Sequence, residues 1–351
     1  VAAQETLKFG IVGCGGVAQK RHLPYLRKMK DVRVVALCDA NAELAERVAR
    51  KFGIDKYYAD FSAMLKQEQL DVADITVSPR AHAPLSIQAL EVGCHVLVEK
   101  PIAEGVKEAD EVVNLARDKG LKLCVVHNNL FAATVLKALD MIQKGALGEV
   151  RGIDIRCPWP RSNRELANKE HWYHKLPGGL FGEVLPHTIY LARAFLGEVE
   201  PVAVHARKFT QYDWIKSDDL RVILDSERGI CTVTVSCSWA KNKVLIDIFG
   251  TKKSLHLDVI NSVITEFGYG EETYSSHVTE NIRQGWQLFS GTASTIFDVV
   301  SGRYATGHET LIRRFIQSMR EGTALPVTAE DGREVVRIVE QIAAQVESSW
   351  K

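Results

Sequence analysis

The first 127 residues alternate short Val- and Ile-rich runs with amphipathic segments, and this alternation restricts the fold more than any other feature of the chain. The runs are Leu7 to Val12, Val32 to Cys38, Tyr57 and Tyr58, Val72 to Val77, His95 to Glu99, and Lys122 to His127. They are compact and almost continuously apolar, as strands covered on both faces must be. Between them lie helical patterns. Asn41 is placed to cap a helix that puts Leu44, Val48 and Phe52 on one face and stops at Gly53. A second pattern runs from about Pro84 to Glu91 and ends at Gly93. A third carries Val106, Ala109, Val113 and Ala116 and ends at Gly120. Strand and helix in regular alternation predict a parallel, doubly wound sheet with right-handed crossovers.

Directly after the first run stands Gly13-Cys14-Gly15-Gly16-Val17-Ala18, which reads G-x-G-x-x-A between a strand and a helix. Gly13 permits the tight turn, Gly15 lets the backbone approach a pyrophosphate, and Ala18 is small enough for close helix–strand packing. The helix start, around Gly16 and Val17, turns free N–H groups and a positive dipole end toward the phosphates. Asp39 ends the second run, 21 residues beyond Ala18. That is the place of the acid that binds the adenosine ribose in a Rossmann domain. No Arg or Lys follows before Arg47, so a 2′-phosphate would meet only negative charge. NAD is therefore expected over NADP. Pro24 interrupts the helix after the loop, and a break is expected near His22 with a new helix opening at Pro24.

After residue 127 the pattern changes. A helix over about Thr134 to Lys144 leads to Gly145 and Gly148. Longer alternating strands follow: Glu149 to Cys157, Pro201 to Phe209, Leu220 to Ser226, Ile230 to Trp239 and Val244 to Gly250. In Ile230 to Trp239, the side chains of Cys231, Val233, Val235, Cys237 and Trp239 share one face; Thr232, Thr234, Ser236 and Ser238 share the other. The C-terminal segment Arg333 to Val346 is predicted helical. The expected architecture is an α/β Rossmann domain over 1–127, then an α+β domain with a large, mainly antiparallel sheet over 128–351. The final helix is placed to pack back on the first domain.

Lys100-Pro101 follows the fifth run, at the strand end that faces the ligand crevice in open α/β sheets. A lysine there can polarise a carbonyl or stabilise a developing alkoxide, and with a lowered pKa it can carry a proton. At this point the chain resembles the Gfo/Idh/MocA family, which includes glucose–fructose oxidoreductase and inositol dehydrogenases. The residues that carry the resemblance are Gly13 to Ala18, Asp39, Thr76-Val77-Ser78-Pro79 with His82, and above all Val98-Glu99-Lys100-Pro101. It continues through Gly145-Ala146-Leu147-Gly148-Glu149-Val150 and reaches Glu330-Asp331-Gly332, and so covers nearly the whole chain. It implies that Ser78, Pro79, His82, Glu99 and Lys100 border the cofactor.

Pro177 to His187 is similar to the family's glycine-rich approach to a helix bearing Asp-x-x-x-His. Spacing of four puts Glu183 and His187 on one helix face, where a carboxylate can orient a histidine that moves protons near neutral pH. By resemblance, Lys100, Glu183 and His187 are the catalytic candidates. Three departures stand out. Glu183 replaces the usual Asp, Pro186 replaces a Gly and predicts a later helix start or a kink, and an arginine frequent near Leu130 is absent. Asn128 remains a cofactor or substrate neighbour. The loop Trp159 to Lys175 carries Trp159, Arg161, Arg164, His171, Trp172, Tyr173 and His174. Trp172 and Tyr173 suit a polyhydroxylated ring, so they join Lys100 and His187 as substrate candidates. Glu170, His171 and His174 lack compelling ligand spacing, and no metal is expected.

The expected activity is transfer of a hydride between a nicotinamide and a secondary alcohol or carbonyl of a sugar, polyol or sugar derivative. Its rivals are an NAD-using glycosidase of the same family and a non-catalytic nucleotide-binding sensor. Lysines and arginines equal aspartates and glutamates at 44 each, which gives no support to a nucleic-acid or membrane-surface partner. No stretch approaches transmembrane length and no leader is visible. Seven cysteines without a Cys-x-x-Cys point to a reducing, cytoplasmic setting. The Thr- and Ser-lined sheet face is expected to join copies into a homodimer or homotetramer.

Overall fold

The computed structural model describes residues 6–160, 166–268 and 273–350. The chain divides into two compact units, one formed by residues up to Asn128 with His308–Arg337, the other by Asn129–Gly307 with Ile338 onward.

The first unit is built on six parallel strands: β1 (Leu7–Val12), β2 (Val32–Cys38), β3 (Lys56–Tyr58), β4 (Val72–Ile75), β5 (His95–Glu99) and β6 (Leu123–Val126). Their order is β3-β2-β1-β4-β5-β6. The chain crosses from one half of the sheet to the other between β3 and β4, so β1 and β4 flank the switch point, and a doubly wound sheet opens its ligand crevice there. Phe9, Ile11, Ile75, Val96, Leu97 and Val98 are all fully buried, which accounts for the continuous apolar runs.

The connecting helices begin and end where the side chains dictate. In α2 (Ala42–Phe52), the Asn41 side chain accepts from the Leu44 N–H at 3.0 Å, and Gly53 closes the helix in the left-handed conformation at φ 63°. The turn around Pro24 is more economical than a break. Residues 18–22 are wound as a π-helix, and the Leu23 N–H reaches back to the Ala18 carbonyl before α1 (Leu23–Leu26). The wider turn absorbs the proline and leaves His22 fully buried. The remaining crossovers are α3 (Phe61–Gln67), α4 (His82–Glu91) and α5 (Val106–Asp118).

His308–Arg337 completes this unit. The Lys122 ammonium donates to the carbonyls of Ser318 and Thr323, and the Arg333 guanidinium pairs with Asp110. A Cβ on Gly332 would lie 2.6 Å from Val125 Cγ2, so the glycine of the Glu330-Asp331-Gly332 run allows close packing.

The second unit holds α6 (Ala133–Gln143), α7 (Leu185–Leu196) and a seven-stranded sheet. Its strands are β7 (Val150–Pro158), β8 (Glu200–Arg207), β9 (Asp219–Ser226), β10 (Gly229–Ser236), β11 (Leu245–Gly250), β12 (Lys253–Asp258) and β13 (Val263–Gly268). The order is β13-β12-β11-β7-β10-β9-β8, antiparallel except for the central β7–β10 pair. Two strands, β12 and β13, and the 27-residue helix α8 (Tyr274–Val300) exceed what the hydrophobic pattern predicts. Cys231, Val233, Val235 and Cys237 are buried as expected. Trp239 lies beyond the end of β10 and is exposed.

The opposite face of this sheet mixes Thr232 and Thr234 with the exposed Ile223 and Phe249. Helix α9 (Gly307–Glu321) and helix α10 (Ala329–Ser348) finish the chain. Among the described residues no helix is long and apolar enough to cross a membrane.

Candidate active site

The strand ends of the first unit gather most of the candidates. The Gly13 N–H donates to the Cys38 carbonyl at 2.7 Å, and the Thr76 hydroxyl donates to the Gly13 carbonyl at 2.7 Å. Gly13 has φ 95°, and a Cβ there would sit 2.8 Å from the backbone of Thr76 and Val77. Glycine is thus required by the protein's own packing. Gly15 and Gly16 differ: a Cβ on either would meet nothing within 4 Å. The space above them is open, which is the form a backbone cradle for a pyrophosphate should take.

Asp39 braces this loop. One carboxylate oxygen accepts from the Cys14 N–H at 2.8 Å and the other from the Asn41 N–H at 2.9 Å. A carboxylate offers about four lone-pair sites, so two are left for ribose hydroxyls. The glycine loop, the open space above it and Asp39 together fit a dinucleotide.

Lys100 leaves the carboxyl end of β5 and is buried, with a cis peptide to Pro101. The Glu99 carboxylate turns inward: it meets His22 Nε2 at 3.0 Å and accepts from the Lys100 main-chain N–H at 3.3 Å. His82 is also buried, its ring nitrogens 2.6 Å from the Pro101 carbonyl oxygen and 3.0 Å from that of Val77. Burial holds its pKa below the ordinary imidazole range. It ties the start of α4 to the segment carrying Lys100. Ser78 and Pro79 form the turn before α4, with Pro79 buried, and Asn128 follows β6.

In the second unit, α7 begins at Leu185 with Pro186 in its first turn. Glu183 therefore ends the preceding 3-10 turn (Gly179–Glu183) and does not share a helix with His187. The cause is the proline, which lacks the N–H that an earlier helix start would use. The arrangement brings another partner to His187. Its Nδ1 lies 2.7 Å from the Tyr190 hydroxyl, which also accepts from the Asn129 N–H at 3.1 Å. The Trp159 ring stacks on the imidazole, with centroids 6.3 Å apart and planes within 11°. Tyr190 is one turn beyond His187 on the same helix, a spacing visible in the sequence; Trp159 lies on the loop already singled out there.

The loop itself is divided in role. Tyr173 is fully buried in a cluster with Leu166, Leu176, Leu180, Ile215 and Cys237. Its ring packs in the core of this unit. Trp172 is exposed. Glu170 pairs with Lys175 at 2.9 Å. Arg161 and Arg164 lie outside the described residues.

The fold and the strand-end site define an NAD-binding oxidoreductase. Residues 7–127 match the family model described as "Oxidoreductase family, NAD-binding Rossmann fold", and residues 135–256 match the "GFO/IDH/MocA C-terminal domain". The chain belongs to the Gfo/Idh/MocA family.

A dTDP-3,4-didehydro-2,6-dideoxy-alpha-D-glucose 3-reductase of Streptomyces antibioticus is 32% identical over 72% of this chain and 75% of that protein. The D-glucoside 3-dehydrogenase of Escherichia coli K12 is 34% identical over 60% of each chain. Among solved structures, the WlbA dehydrogenase of Chromobacterium violaceum, in complex with NADH and UDP-GlcNAcA, superposes with a TM-score of 0.80. The superposition covers 99% of this chain and 96% of that one at 20% identity, a likeness of fold.

Proposed function

We propose that this protein transfers a hydride, in either direction, between NAD and a secondary alcohol or carbonyl of a sugar, polyol or sugar derivative. The observation that carries the reading is Lys100, buried at the end of β5 on the strand edge that also bears the glycine loop and Asp39. The relatives named above, a glucoside dehydrogenase and a sugar-nucleotide reductase, support the substrate class.

Gly13, Gly15, Gly16, Val17 and Ala18 would hold the pyrophosphate and Asp39 the adenosine ribose. Ser78, Pro79, His82, Glu99 and Asn128 border the same edge. When bound, NAD supplies the two-electron acceptor for the carbinol hydride. Lys100 holds the substrate oxygen and stabilises negative charge on it. His187 takes the hydroxyl proton at Nε2, its ring fixed by Tyr190 and Trp159. Glu183 adds a carboxylate to the approach, and Trp172 offers an exposed ring to a sugar face.

A screen of sugars, polyols, sugar acids and nucleotide sugars, followed by NADH absorbance, tests the reading. Lys100→Ala and His187→Ala should each lose most turnover and still bind NAD. Release of free sugar without net NADH would replace the reading with glycoside hydrolysis. Full activity in either variant would remove that residue from the mechanism.

The open face of the seven-stranded sheet, with Thr232 and Thr234 among exposed apolar side chains, is the surface through which we expect a homodimer or homotetramer to form.

A further inference from the structure

Beneath the Lys100 segment lies a chain of buried polar groups, Glu99 among them, whose side chains take no part in the proposed hydride step. Asp74 sits in the middle of β4 with no solvent exposure. Its carboxylate oxygens lie 2.9 and 3.0 Å from His22 Nδ1. The other nitrogen of that ring, Nε2, meets Glu99 at 3.0 Å. His308 Nε2 approaches the same Glu99 oxygen at 3.6 Å, with its ring edge-on to His22. The second Glu99 oxygen accepts from the Lys100 main-chain N–H.

An imidazole between two ionised carboxylates must donate from both nitrogens to satisfy them, and only the imidazolium has two donors. Burial raises the Asp74 pKa, and the His22 charge and hydrogen bond oppose that rise. Two buried carboxylates without that cation would be costly. Burial alone would push the His22 pKa down. The Asp74 charge and hydrogen bond, with those of Glu99, outweigh it and raise the pKa to about 10. Desolvation opposes ionisation of Glu99, but its hydrogen bond to His22 and the nearby His308 ring hold its carboxyl well below the usual range. His308 goes the other way: burial lowers its pKa, with the charges of His22 and Arg21 acting in the same sense.

We propose that His22 is a positioning residue for the reaction: by bridging Asp74 and Glu99 it fixes the Glu99 carboxylate, and through it the main chain that launches Lys100. The π-helical turn is what places it there, since the widened turn carries the His22 ring inward toward β4 and β5. The inference deepens the reading that Lys100 holds the substrate oxygen. Its structural half does not require that reading.

The test uses Asp74→Asn, which removes one of the two charges that keep His22 protonated. Histidine ring nitrogens and the Lys100 amide are followed by NMR with 15N-histidine and 15N-lysine labelling of the whole chain, without substrate. In the wild type, His22 should stay an imidazolium to about pH 9 and the Lys100 amide shift should be flat over that range. In the variant the His22 pKa falls. The imidazolium is present below the new pKa and lost as pH rises through it, and the Lys100 amide should move in step.

With a substrate in hand, kcat of the variant should fall by on the order of tenfold over that same pH span, beyond any wild-type trend, while NAD affinity changes less than threefold. A Lys100 amide that ignores the His22 titration overturns the proposal. So does a kcat profile that superimposes on the wild type. If Asp74→Asn does not fold, raising the pH of the wild type through about 10 reads the same coupling. A wild-type protein that oxidises no sugar would sink the dehydrogenase reading, and the amide titration would still decide this one.

Discussion

Tyr190→Phe removes one oxygen from the interior of the second unit and isolates what that oxygen does for His187. To take a proton at Nε2, His187 must carry its own hydrogen on Nδ1 and donate it to Tyr190. The Tyr190 oxygen already accepts the Asn129 N–H and has a second lone pair for Nδ1–H at 2.7 Å. A hydrogen bond of this kind is worth about 0.5–1.5 kcal/mol net. If that orientation is used in the transition state, its loss lowers kcat by roughly 2- to 13-fold at 1.36 kcal/mol per decade. KM for NAD should not move, because the glycine loop and Asp39 lie in the other unit. The Asn129 N–H loses its acceptor as well, so a stability loss of about 1–3 kcal/mol is expected and is read separately by thermal melting. The assay is initial-rate NADH production on the best sugar from the screen, at saturating NAD. A variant whose kcat stays at the wild-type value would refute the reasoning: Tyr190 would then be a packing residue, and the tautomer of His187 would be set by something else.

Gly13→Ala should cost about 1–2 kcal/mol for the positive φ alone, with a further backbone clash at Thr76. A lower melting temperature and at least a tenfold weaker NAD affinity by titration are the expected results. Paired titrations of the wild type should show NAD bound more tightly than NADP. Asp39→Asn should narrow that preference, and equal preference in both proteins would clear Asp39 of the role. Thr234→Arg should shift sedimentation toward smaller species without changing NAD affinity; a wild type that is monomeric at micromolar concentration would end the interface proposal.

The parts legible in the sequence are those whose chemistry is local. Gly13, Gly15 and Ala18 announce a phosphate turn because strand, turn and helix are contiguous, and Asp39 follows at the distance one βαβ step requires. Lys100 could be placed because it directly follows the fifth strand and precedes a proline. The His22 cluster could not be assembled this way: Asp74 and Glu99 stand 52 and 77 positions from His22 and meet it only once β1, β4 and β5 lie side by side. The signal that was available is Asp74 itself, a carboxylate inside the run Val72 to Val77, where an ionisable group survives only with a partner. Pro186 gave fair warning that Glu183 and His187 would be split between two turns. The burial of Tyr173 is not legible in the sequence, because an aromatic on a loop reads the same whether it is exposed or packed in a core. Helix α8 was missed because it presents apolar residues around an exposed surface, Trp286 and Phe289 among them, so its pattern does not separate two faces cleanly.

Cys14 occupies the middle of the glycine turn, where a reactive thiol would make cofactor binding hostage to the redox state of the medium. It is fully buried and its pKa is pushed up to about 12, by burial first and then by the neighbouring Asp39 charge. At pH 7 the thiolate is therefore a rare form there, and the thiolate is the form that peroxide or an alkylating reagent attacks. The other six cysteines are buried as well. The native chain thus comes close to a silent background for thiol chemistry. A single cysteine introduced on the surface, beside Trp172 for instance, would accept a fluorophore almost alone, and motion of the loop on adding NAD or a sugar could be followed in an otherwise unaltered protein.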